Sequence, residues 1–226
     1  MNLQTTTKRQ ASRTIASDVF EQLRGDILQC RLAPGTRLRF KDLRTRYGSG
    51  LSPLREALMR LVADGLVALE DHQGVRVAPV SQEELVDIAT TWFELEALGI
   101  RQSIKRGDDR WAANIQARFR ELSKHRIRTP DGTLDPDWEP WNLAFHESLY
   151  AACGSPLLMG FCRALSERFS RYRRLWARGG HKRNIPKEHA DLCRAVLARD
   201  TAAAVAALRK HRTTTIRDLL ASWNGS

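Results

Sequence analysis

The chain has 226 residues, 42% apolar and 28% charged, a balance that excludes extended disorder and leaves room for one large domain or two small ones. No apolar run approaches the ~20 residues a membrane-spanning helix needs, and the polar stretch Met1–Arg13 predicts no secretory signal. The net charge of +11 is uneven: residues 1–60 hold 12 Lys/Arg against 5 Asp/Glu, the remainder 25 against 21. A polyanionic partner is therefore expected at the N-terminal end. The four cysteines stand singly, without CxxC spacing. They read as buried or indifferent thiols of a reducing compartment.

In chain order, residues 1–12 read as a flexible basic arm. From Thr14, the residues Ile15, Val19, Leu23 and Ile27 recur every four positions, one stripe of an amphipathic helix. Pro34-Gly35 turns the chain. A short helix carrying Phe40, Leu43 and Tyr47 breaks at Gly48-Ser49-Gly50. Ser52 as N-cap and Pro53 at the first helical position predict a third helix. Its buried face is Leu54, Ala57, Leu58, Leu61 and Val62, and Asp64-Gly65 closes it. Leu66–Leu69 and Val75–Val80 predict two strands about the turn Asp71-His72-Gln73-Gly74. Three short helices and a hairpin over residues 13–80 make a winged helix-turn-helix plan, in which the third helix enters the DNA major groove.

Beyond residue 80 no further strand is predicted. Ser81-Gln82-Glu83-Glu84 reads as a capping box for a helix to about Arg106. Asp108-Asp109 opens another, with Trp111, Ile115, Phe119 and Leu122 on one face. Residues 127–137 read as a loop, followed by helices at about 138–152, 155–177, 187–198 and 201–222. The expected fold class is mainly α: an N-terminal winged helix-turn-helix and, over residues 81–226, an antiparallel all-α bundle of about six helices.

Among the six histidines, His146 lies one turn after Asn142 and shares its helix face. His189 stands early in the next-to-last helix and His211 late in the last, so antiparallel packing would bring them to similar heights. Three imidazoles and an amide oxygen converging in a bundle suit Zn²⁺, Ni²⁺ or a similar divalent ion with an open position. Spacing alone leaves three independent histidines as the other reading. Ser148 beside His146 has no oxyanion hole nearby to support a catalytic pair.

The stretches Leu32–Leu38, Leu51–Leu58, Leu61–Val67 and Gly74–Val77 resemble the DNA-binding domain of GntR-family bacterial transcription factors. Asn142–His146, Gly154–Leu157, Glu188-His189 and Lys210-His211 resemble the FCD ligand-binding domain of the FadR subfamily. Gly50–Leu58 is most similar to the carbon-starvation regulator type. The resemblance implies a homodimer on a palindromic double-stranded DNA operator, with a small organic acid as effector. It also implies a divalent metal, held here by Asn142, His146, His189 and His211. Asn142 replaces the family's Asp and lowers the negative charge of that set.

Two departures shift the expected contacts. Leu51 stands where the family often has Arg, so base reading falls to Arg55, with Lys41 and Arg44 on phosphate and Ser52 and the wing's Gly74 beside them. Trp92 stands where an Arg often faces the effector, one turn before Glu96. Arg171, Tyr172 and Arg173 are the expected substitutes. The resulting expectation is a cytoplasmic repressor released from DNA by an acid. A metal-dependent enzyme acting on a carboxylate would need a general base, and Glu147 points about 100° from His146. A non-specific nucleic-acid binder would show equal, salt-sensitive affinity for every sequence.

Overall fold

The computed structural model describes residues 14–70, 74–176 and 183–224. The chain divides between Pro79 and Val80 into two compact units. The arm at 1–12 and turn residues 71–73 lie outside the described residues.

The first unit contains α1 (Ile15–Leu28), α2 (Phe40–Tyr47), α3 (Leu51–Ala63), β1 (Val67–Glu70) and β2 (Gly74–Val77). The Thr14 hydroxyl accepts the Ser17 N–H at 3.2 Å and caps α1. The stripe Val19, Phe20, Leu23 and Ile27 of α1 shares one core with Leu54, Ala57, Leu58 and Leu61 of α3. The strands pair antiparallel from Val67↔Val77 to Glu70↔Gly74.

Three details differ from the sequence reading, the first being that the second strand ends at Val77, three residues before the expected Val80. The segment after the Pro34-Gly35 turn also joins the sheet: Val77 N–H donates to Thr36 O at 2.9 Å and Leu38 N–H to Val75 O at 2.7 Å. Helix α3 starts at Leu51 with Gly50 as N-cap, without a side-chain cap bond. Ser52 is therefore inside the first turn and is not the cap. Pro53 is tolerated there because the first N–H groups of any helix lack intrahelical acceptors.

Asp26, 7% exposed, ties this unit together. Its carboxylate accepts from Arg31 Nε at 2.6 Å, Arg46 Nε at 2.9 Å and the Tyr47 hydroxyl at 2.7 Å. Burial pushes its pKa up, but the Tyr47 bond and the two guanidiniums outweigh it and hold the pKa below the usual carboxylate range.

The second unit contains α4 (Gln82–Arg106), α5 (Asp109–Leu122), α6 (Trp138–Leu149), α7 (Pro156–Trp176), α8 (Ile185–Leu197) and α9 (Thr201–Asn224). Helix α4 packs on α7 and α9, α5 on α6 and α8, and α8 on α9. Trp92, Ile100, Phe145, Phe169, Tyr172 and Leu192 are among the core they enclose. Helix α6 ends at Leu149, three residues earlier than its apolar pattern suggested. Helix α8 begins two residues earlier, because Asn184 caps it by accepting the Lys187 N–H at 3.0 Å.

The capping box of α4 is only half formed. Ser81 accepts the Glu84 N–H at 3.0 Å, but the Glu84 carboxylate accepts from Tyr172 and Arg168 instead of the Ser81 N–H. The Ser81 N–H donates to the Tyr172 hydroxyl at 3.3 Å. Among the described residues, no helix is long and apolar enough to cross a membrane.

Replacing Asp26 by Asn removes the anion while keeping the shape. About 2 kcal/mol of first-unit stability is expected to be lost at pH 7, a buried charge-assisted network being worth that order. Because the folded-state pKa is depressed, this contribution is present above the unfolded value of about 3.9. It disappears as pH falls through the folded value. Thermal unfolding of the two proteins from pH 7 to pH 3 should therefore show melting temperatures that differ at neutral pH and converge in acid.

Candidate DNA interface and histidine centre

The outer surface of α2 and α3 carries Lys41, Arg44, Ser52 and Arg55, all exposed. Lys41 and Arg44 line a shallow concavity with Phe40, Thr45 and the Gly48–Leu51 turn. Gly48 accommodates a left-handed φ of +60°, which lets α2 stop and α3 start within three residues. Without a side-chain cap, the first N–H groups of α3 stay open at this surface, the arrangement that favours phosphate.

Among the described residues, Lys41, Arg44 and Arg55 form no ion pair. Arg55 lies 5.8 Å from the Phe40 ring centroid. Arg46 differs, being bound to Asp26 at 2.7 Å. Gly74, at φ +87°, opens the second strand of the wing and offers only backbone.

In the second unit, α6, α8 and α9 bring His146, His189 and His211 together. Their candidate ligand atoms all lie within 4.8 Å of one another. The ring centroids are 5.4, 5.2 and 4.8 Å apart, and none of the three residues is more than 6% exposed. The outer nitrogens of His146 and His211 are committed. His146 Nδ1–H donates to Glu96 Oε1 at 2.8 Å, and His211 Nδ1–H to Glu188 Oε2 at 2.9 Å. Arg183 donates to both Glu188 oxygens and to the His211 carbonyl.

The inner atoms are not committed. His146 Nε2, His189 Nε2 and Asn142 Oδ1 are buried without a hydrogen-bond partner among the described residues. Each such atom costs about 1–3 kcal/mol when left so. A cation satisfies lone pairs of this kind, so the residues fit a divalent metal with nitrogen and oxygen donors.

The protonation states agree. Burial, with the nearby Arg212 charge, holds His146 well below the usual imidazole range. Burial does the same for His189. Burial brings His211 down to about 4, although the Glu188 bond acts against it. Burial raises and the Arg183 and His211 bonds lower the Glu188 pKa, which settles at about 2. At neutral pH the cluster is three neutral imidazoles, the form that ligates.

A cavity of about 500 Å³ adjoins the cluster, with Asn142, His211, Arg173, Trp138, Trp176 and Thr215 in its wall. Of the expected effector residues only Arg173 lines it, and its guanidinium is bound to Glu139. Arg171 and Tyr172 do not, because successive helix residues point about 100° apart. Arg171 is 1% exposed, and the Tyr172 hydroxyl serves the start of α4. Trp92 is also absent from the wall; it is a core ring 6.4 Å from His146.

Glu147 pairs with Arg163 at 2.5 Å, and the Ser148 hydroxyl donates to Phe145 O. Neither forms an acid–base pair with His146. The sequence reading missed Arg183 and Arg212. Their only linear signal is that Arg212 follows His211.

Residues 15–77 match the gntR family of bacterial regulatory proteins, and residues 87–214 match the FCD domain. The chain is 37% identical over 203 residues to the uncharacterized HTH-type transcriptional regulator BphR of Paraburkholderia xenovorans, covering 88% of this chain and 82% of that one. It is 36% identical over 209 residues to the HTH-type transcriptional repressor GlaR of Escherichia coli, covering 90% and 95%. The solved structure of E. coli McbR/YncC superimposes with a TM-score of 0.75 at 20% identity, over 93% of this chain and 99% of that one. That likeness speaks for the fold alone. With a winged helix-turn-helix followed by a helical FCD domain, the chain belongs to the GntR family of bacterial transcriptional regulators, and it is a DNA-binding regulator, not an enzyme.

Proposed function

We propose that the protein is a cytoplasmic, homodimeric repressor whose affinity for a palindromic operator is lowered by a small organic acid bound in the FCD domain. The observation that carries the effector half is the convergence of two unpartnered imidazole nitrogens and an amide oxygen beside a 500 Å³ cavity. His146, His189, His211 and Asn142 would hold a zinc or nickel ion. Bound there, such an ion supplies a Lewis-acidic position for a carboxylate. Arg173 reaches the same cavity and can exchange its Glu139 partner for the acid.

The DNA half rests on Lys41, Arg44 and Arg55 of α2 and α3, which form no ion pair among the described residues. Arg55 is the base reader, and Lys41, Arg44 and the open start of α3 are the phosphate contacts. The E. coli relative named as a transcriptional repressor supports repression as the sign. Coupling between the two sites of about 1–3 kcal/mol would change operator affinity 5- to 150-fold. A metalloenzyme is not favoured: both carboxylates that contact the histidines are already bound to arginine, Glu96 to Arg212 and Glu188 to Arg183.

Fluorescence anisotropy with duplexes tiled across the protein's own upstream region tests the DNA half. One tile should be preferred over shuffled controls by at least ~10³-fold. Equal, salt-sensitive binding of all tiles and of candidate operators elsewhere would rule out a sequence-specific regulator.

Arg55→Ala is expected to weaken operator binding by about 5- to 150-fold, the worth of one bidentate base contact. Its metal content should stay unchanged. An unaltered operator affinity would remove Arg55 from the interface.

His189→Ala is expected to do the reverse, losing metal by elemental analysis while binding operator normally and ignoring added acids. In wild type, free Zn²⁺ at 100 times its dissociation constant should add about 2.7 kcal/mol to FCD stability. In the variant that gain should be absent. An equal gain in both proteins would place the ion elsewhere.

A further inference from the structure

Behind His146, on its Nδ1 side, three buried side chains are linked in series: Trp92, Arg212 and Glu96. Arg212 Cζ lies 3.4 Å from the Trp92 ring centroid. Its Nε donates to Glu96 Oε2 at 3.1 Å, and its Nη2 to the same oxygen. Glu96 Oε1 accepts the His146 Nδ1–H at 2.8 Å. Glu96 is wholly buried and Arg212 is 2% exposed. Three helices contribute: Trp92 and Glu96 one turn apart on α4, His146 on α6 and Arg212 on α9.

The arrangement is directional. Each Glu96 oxygen has its own partner, so the carboxylate cannot rotate without breaking bonds on both sides. A fixed carboxylate in turn fixes the plane and tautomer of the imidazole that donates to it, which tunes that imidazole as a ligand. Arg212 itself can stay buried because one face of its planar guanidinium lies on an indole, the strongest of the aromatic partners for a cation. It reaches His146 only on the Nδ1 side, at 3.4 Å, and so stays clear of the inner Nε2.

We propose that Arg212, seated on Trp92, is the positioning residue of the histidine cluster. It locks the Glu96 carboxylate that holds His146 with Nε2 presented to the ion. This rests on the reading of the cluster as a divalent-metal site. The indole at position 92 supports a cation delivered from α9 to the back of the site.

The test is a Co²⁺ titration of the full chain, followed by visible absorption, with thermal unfolding in parallel. Arg212→Met should lower Co²⁺ affinity 10- to 100-fold and alter the bands of the bound ion. Arg212→Lys, which keeps the charge but not the stacking plane, should fall between. Trp92→Phe should stay near wild type, and Trp92→Leu should approach Arg212→Met.

Arg212→Met strands a buried carboxylate and lowers stability. The double variant Glu96→Gln/Arg212→Met removes both charges, keeps an amide oxygen for His146, and should fold yet still bind Co²⁺ at least tenfold more weakly. Wild-type affinity and an unchanged spectrum in Arg212→Met, or in the double variant, would overturn the positioning role. A wild-type chain that takes up neither Co²⁺ nor Zn²⁺ would overturn the metal reading itself, and this inference with it.

Discussion

Three imidazoles buried within about 5 Å of one another impose the constraint on which the FCD half depends. They cannot all be charged in so small a volume, and burial drives them neutral. Neutral imidazole still has one donor and one acceptor nitrogen, and both need partners inside a protein. Carboxylates take the donors of His146 and His211. The acceptors face inward, where no hydrogen-bond partner among the described residues meets His146 Nε2 or His189 Nε2. A bundle core that only needed filling would place apolar side chains here. The polar cost is borne in one place, beside a cavity.

The surrounding charges follow from the same constraint. Glu96 and Glu188 are needed to hold the imidazoles, and each carboxylate in turn requires a cation. Arg212 supplies the cation for Glu96 and Arg183 the one for Glu188. Arg173 and Glu139 form a third pair at the cavity wall. Such pairs contribute little net stability against well-packed apolar residues, because desolvation offsets most of their attraction. Their worth lies in fixing orientation, which is what a ligand set requires.

The winged unit uses an ion network differently. Asp26 gathers Arg31, Arg46 and Tyr47, joining α1, the following turn and the end of α2. That network engages Arg46, while Lys41, Arg44 and Arg55 on the outer face form no ion pair among the described residues.

Local pattern determined much of this molecule. The period-four stripe of α1, the Gly48-Ser49-Gly50 break and the alternation around Gly74 specify helix and strand through side-chain spacing, which needs no distant partner. The i, i+4 relation of Asn142 and His146, and the antiparallel heights of His189 and His211, were legible for the same reason. Where the ends of elements fell depended on bonds between distant segments. Tyr172 takes the Glu84 carboxylate from the capping box, and backbone pairing with Val75 and Val77 turns residues 35–38 into a sheet edge. Spacing could not say which of Arg171, Tyr172 and Arg173 meets the cavity, since that depends on the rotation of α7 within the bundle. Nor could it match Arg212 with Trp92 and Glu96, 116 residues from its carboxylate partner. A buried ion pair leaves no local periodicity, and only the packing of α4 against α9 brings its members within reach.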